Sequence, residues 1–142
     1  MSARSRSRSP SPLVRITAGL VGAVFVAAGA LQYNNPDPLA WGAIFLAAAG
    51  VSFAVAGGWR VPGWAPAVVG IAAVVWAGRL LPRVVGHVPV TELIQERAAR
   101  TPLIAEGRGA LGLVAIAAWM AVLAFAVSRR PRGADPASLP RS

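Results

Sequence analysis

The chain has 142 residues, of which 56% are hydrophobic and 13% charged, with a net charge of +9. With its 15 glycines the apolar share reaches about two-thirds, against roughly 45–50% in an ordinary soluble domain. A soluble globule this small has too much surface to cover with so few polar groups. The absence of cysteine excludes a disulfide scaffold, a cysteine-ligated metal site and a thiol nucleophile.

All 14 basic residues are arginine, and they are segregated from the apolar sequence. The start, MSARSRSRSPSPLVR, carries Arg4, Arg6, Arg8 and Arg15, and residues 1–12 are expected to form a disordered basic arm. Its arginine-serine repeat invites a nucleic-acid reading, because such repeats bind phosphate backbones by charge alone. Ahead of an apolar run it reads instead as a positive-inside anchor beside anionic lipid, at about 1 kcal/mol per basic residue. No nucleic-acid partner is expected.

Four apolar stretches follow, at about 13–32, 39–57, 63–81 and 109–127. The first is uncharged from Ile16 to Leu31, and these 16 residues reach roughly 24 Å as a helix. That is short of a hydrocarbon core of about 30 Å, and Arg15 extends it by snorkelling to the headgroups. The second and fourth are charge-free, and the third carries Arg79 near its end. Continuous runs of this length predict transmembrane helices, whereas a β-barrel needs alternating polarity. The basic start, the apolar run and Ala28-Gly29-Ala30 also fit a signal peptide cleaved after Ala30. An even-numbered bundle favours the retained helix, and a mature mass starting at Leu31 would overturn it. The tail, residues 129–142, carries Arg129, Arg130, Arg132 and Arg141 and is expected to be disordered.

The predicted fold is therefore all-α: an integral membrane four-helix bundle with both termini cytoplasmic. Nine arginines fall inside on this orientation and four or five outside, as the positive-inside rule requires. The all-arginine, alanine-rich composition fits a high-GC bacterium and hence a bacterial plasma membrane. Small-residue stripes, among them Ala18-xxx-Gly22, Ala43-xxx-Ala47, Ala73-xxx-Ala77 and Ala117-xxx-Ala121, offer close helix contacts. Trp59 and Trp64 flank the inner turn, Trp41 and Trp76 lie toward the outer side, and Trp119 reads as a mid-span packing residue.

The spans hold almost nothing polar at mid-depth, where Ser52 is the nearest candidate and Thr17 lies near an inner end. That argues against a transporter with a midplane site. The outer side differs. In the first hairpin, Gln32-Tyr33-Asn34-Asn35-Pro36-Asp37-Pro38, Asn35 and Asp37 precede prolines and are pushed toward extended or turn conformations. Asp37 is suited to cap the second helix and Pro38 to open it. The loop after the third span contains the only histidine, His87, and a short helix predicted from Glu92 to about Arg100. Glu106 and Arg108 stand where the fourth span begins, with Glu106 placed to complement a helix N-terminus.

Gln32, Asn34, Asn35, Asp37, Arg79, His87, Glu106 and Arg108 thus form a candidate polar outer mouth. One reading is a pocket for a headgroup, ion or partner loop. The other is a network tying outer helix ends together. One histidine with scattered carboxylates is a poor metal set, and nothing in the spacing specifies a catalytic group, so no metal, cofactor or catalytic residue is expected.

Leu31-Gln32-Tyr33-Asn34-Asn35-Pro36-Asp37-Pro38 followed by Trp41 resembles the first-hairpin signature of the transmembrane protein 220 family. Glu106-Gly107-Arg108 leading into Leu111-Gly112-Leu113 resembles that family's entry to its last helix. The resemblance implies a small four-helix membrane protein of undetermined function. The chain departs from the pattern at Asn35, where an aspartate is usual, and at Gly109, where a second acid is expected. Both changes remove a carboxylate. The expected function is a non-enzymatic multi-pass membrane protein that binds a partner or lipid at its polar outer mouth. The alternatives are a small transporter or channel, or a membrane-embedded enzyme acting on a lipid-borne substrate through Asp37, His87 or Glu106.

Overall fold

The computed structural model describes residues 10–35, 37–85 and 102–129. These form α1 (Pro12–Ala30), a 3-10 turn (Leu31–Asn34), α2 (Pro38–Ala56), α3 (Trp64–Val84) and α4 (Pro102–Ser128). Four stretches are long and apolar enough to cross a bilayer: Pro12–Tyr33, Pro38–Ala56, Trp64–Arg83 and Glu106–Ser128. The helix expected around Glu92–Arg100, and most of the basic arm and tail, lie outside the described residues.

Local chemistry sets the helix starts. Ser11 Oγ accepts from the Val14 N–H at 3.4 Å, with Pro12 as the first helical residue. Asp37 accepts from the Ala40 N–H at 3.2 Å, with Pro38 opening α2 as the sequence predicts. α4 opens on Pro102, well ahead of the expected start at Gly109. A charge-free run marks where apolar sequence begins, not where the backbone becomes helical. Glu106 consequently sits inside α4, whose first turn holds no acid, and it does not take the helix-terminal role expected of it. α3 likewise runs past Leu81 and through Pro82, whose ring removes the N–H that would pair with the Gly78 carbonyl, and stops at Val84.

The helices alternate in direction. Arg15 Nε donates to the Ala56 carbonyl at 2.9 Å, and a Cβ on Gly63 would lie 3.1 Å from Ser128 Oγ. The start of α1, the end of α2, the start of α3 and the end of α4 therefore share one end of the bundle. The turn there uses Gly58 at φ 77°, a conformation that disfavours side chains, and the Arg15 guanidinium lies against it. Arg15 thus closes the carbonyl end of α2, a position that favours a cation, rather than only reaching for headgroups. The α1–α2 turn, the end of α3 and the start of α4 lie at the opposite end.

α1 packs along α2, and α3 along α4. α4 presents a buried stripe, Leu113, Ile116, Met120, Leu123 and Val127, at alternating spacings of three and four. α3 answers with small residues: Ala73 and Ala77 are buried, and Gly70 lies against Met120. In the other pair, Gly22 faces the Phe53 ring and Phe25 meets Phe45 edge-on, with centroids 6.2 Å apart. Among the expected stripes, Ala18–Gly22 and Ala73–Ala77 are buried, while Ala43, Ala47 and Ala121 face outward. In lipid, helices meet where shapes interlock rather than where alanines recur.

α2 joins the two pairs. Trp41, 4% exposed, stacks on Trp76 with ring centroids 4.6 Å apart and planes inclined by 34°. A Cβ on Gly109 would meet three atoms of the Trp41 ring, two of them at 2.7 and 2.9 Å and the third closer still. One turn further in, a Cβ on Gly112 would lie 2.6 Å from Phe45 Cζ, while Gly29 of α1 borders the base of the same side chain at Cβ. Trp41 therefore serves as a wedge between helices, whereas Trp59 and Trp64, 72% and 69% exposed, stand at the opposite end as interface residues would.

Candidate functional site

At mid-depth the one candidate polar group is already engaged. Ser52, fully buried, donates from Oγ to the Ala48 carbonyl at 2.8 Å and accepts from Trp119 Nε1 at 3.0 Å. An unpaired indole N–H in lipid is costly, and the serine hydroxyl one helix away satisfies it. Sequence reading placed both residues at mid-depth without pairing them. Their separation of 67 positions offers no local signal.

The hairpin polar groups also largely serve the turn. Asn35, 8% exposed, donates its side-chain amide to Gln32 Oε1, and its backbone N–H donates to the Gln32 carbonyl at 3.0 Å. Asn35 itself is extended, as a residue before proline must be. Asp37 is occupied as the cap of α2. These bonds stay within the turn, and none reaches Arg79. The Asn34 side chain and all of His87 lie outside what is described.

The arginines at this end differ. Arg79 and Arg83 are exposed on α3, one turn apart, and neither pairs with any described residue. With Ala72, Val75, Trp76 and Leu80 they line an open groove of about 580 Å³. All six residues lie on one face of α3, and Trp76 joins that face to the Trp41 wedge. Arg108 is half-buried near the start of α4 and is already engaged, while Glu106 is half-buried one residue before Gly107. The eight predicted residues thus divide. Gln32, Asn35 and Asp37 build a turn; Arg79 belongs to a groove; Glu106 and Arg108 lie on α4 beside the Trp41 socket. Sequence reading missed Arg83 as a groove residue, although its spacing of four from Arg79 places both on one helix face. It also read Gly109 as a lost acid. In this packing no side chain fits there, because the Trp41 ring fills the space.

Such an arrangement has fixed positive charge beside apolar surface. It contains no nucleophile with a base in reach among the described residues.

Residues 24–125 match the family model described as transmembrane family 220, helix. No curated protein and no solved structure matches the chain. The match covers well over half of the chain and both motifs at the polar end. The chain, an integral membrane protein with four apolar helices, belongs to transmembrane family 220.

Proposed function

We propose that this is a non-enzymatic multi-pass membrane protein that holds a partner or lipid at the polar end of its bundle. Both termini are cytoplasmic in this reading, and the polar end faces outward from a bacterial plasma membrane. Arginine counts support the orientation, since Arg15, Arg60 and Arg129 lie at the end where α1 begins and α4 stops. The observation that carries the function is the groove on α3. Two arginines line it without a described partner, whereas the mid-depth serine is consumed by packing. Guanidinium groups with no partner among the described residues, beside apolar surface, favour a ligand that brings negative charge to the membrane interface.

The test compares the wild type, the double variant Arg79→Gln/Arg83→Gln and Ser52→Ala in polymer-bounded particles cut directly from native membrane. Lipids and proteins that co-isolate are quantified by mass spectrometry. The glutamine pair is expected to lose a species that the wild type and Ser52→Ala both retain. Identical inventories for all three would refute the reading.

A further inference from the structure

We infer that the α3 groove is a seat for one anionic phospholipid, its phosphate between Arg79 and Arg83 and an acyl chain lying inward over Val75 and Ala72. This rests on the proposed binding role of the polar end and names its ligand.

Charge complementarity points to the headgroup. Residues four apart on a helix stand about 5–6 Å apart at Cβ. Two guanidinium groups so placed repel one another unless an anion lies between them, and their planar forks match phosphate oxygens. Neither arginine has another partner among the described residues. The end of α3 carries roughly half a negative charge from its backbone dipole, which opposes an anion. Two full positive charges outweigh it.

Depth points to the tail. The span containing the groove ends at Arg83. From Arg83 inward to Ala72 the helix rises about 16 Å, close to the ~15 Å of one hydrocarbon leaflet. Over that length the groove changes from cationic to apolar, with Trp76 and Leu80 between. A soluble anion would use only the outer part. A lipid uses both, and the groove's ~580 Å³ lies in the range of small-molecule sites.

The experiment uses the full chain in mild detergent, titrated with phosphatidylglycerol, phosphatidylcholine or inorganic phosphate, and reads retained lipid by native mass spectrometry and stability by thermal shift. Phosphatidylglycerol is expected to be retained in preference to phosphatidylcholine and to raise the melting temperature. Arg79→Gln/Arg83→Gln should weaken phosphatidylglycerol retention by about tenfold or more. Arg79→Lys/Arg83→Lys should recover part of it. Val75→Trp keeps both arginines but fills the groove, and should also lose the preference. Arg60→Gln, at the opposite end, should not.

Three results would overturn the inference: the glutamine pair keeping the preference, inorganic phosphate matching the lipid's stabilisation, or Arg60→Gln losing the preference equally. If the glutamine pair instead strips a protein from native particles while phosphatidylglycerol shows no preference, the binding role stands and its lipid occupant falls.

Discussion

Gly109→Ala is a small change with a large expected cost. A Cβ there would stand 2.7 and 2.9 Å from two Trp41 ring atoms and nearer a third, where 3.4 Å begins ordinary contact. The ring must retreat by more than 0.7 Å, the difference between 3.4 Å and the second-nearest atom at 2.7 Å. It cannot do so freely, because its ring centroid lies 4.6 Å from that of Trp76 and the residue is 4% exposed. Forcing a methyl into a filled site costs about 1–3 kcal/mol. Loosening the indole pair adds about 0.5–1.5 kcal/mol. Against this stands the helix-propensity gain of alanine over glycine, about 0.8–1 kcal/mol in water. The net expectation is destabilisation by about 0.5–3.5 kcal/mol, with a midpoint of about 2. Reversible unfolding in mixed detergent–SDS micelles, followed by tryptophan fluorescence, measures it. Gly42→Ala is the matched control, since a Cβ there meets nothing within 4 Å. Trp41→Phe should relieve part of the clash in the double variant. If Gly109→Ala is as stable as Gly42→Ala, the wedge account is wrong.

A double-mutant cycle on Ser52→Ala and Trp119→Phe should give a coupling near 0.6 kcal/mol and no more than about 1.7, the span measured for hydrogen bonds between membrane helices; zero coupling would mean that the bond contributes nothing. Asp37→Ala should cost about 1 kcal/mol through loss of the α2 cap, while Asp37→Asn should cost little, measured by the same unfolding assay. Because the chain has no cysteine, single cysteines report topology cleanly. Ser11→Cys and Ser128→Cys should react with a membrane-impermeant maleimide only after permeabilisation, and Tyr33→Cys and Val85→Cys in intact cells; the reverse pattern would invert the orientation. Arg15→Gln should lower stability by no more than about 1 kcal/mol, since the carbonyl it serves lies at an exposed helix end that water reaches.

The four helices were legible because membrane insertion is decided by length and charge, both of which are local properties of the sequence. The cap at Asp37 and the extended Asn35 were legible for the same reason, since a proline constrains its own neighbours. Register between helices is not local. Gly109 and Gly112 are sockets only because Trp41 and Phe45 stand opposite them, and nothing near residue 109 names those partners. Alanine is too common in this chain to mark which stripes pack. Ser52 and Trp119 each looked inert until two helices brought them together. At the polar end, sequence reading grouped residues by their side of the membrane. Packing sorts them further, because Asn35 and Gln32 bond to each other within their own turn, while two like charges on one helix face have no described partner.

The contact of α2 with α4 has a consequence for synthesis. Every group that α2 contributes to it, the Trp41 indole, the Phe45 ring and the Ser52 hydroxyl, enters the membrane long before its counterpart on α4 is translated. Until residues 109–119 arrive, Phe45 and Ser52 lack their α4 contacts and Trp41 has Trp76 of α3 alone across the bundle. The α2–α4 contacts are thus the last that the ribosome permits. A chain truncated before α4 would carry a complete first hairpin with the flank of Phe45 and Ser52 unfilled.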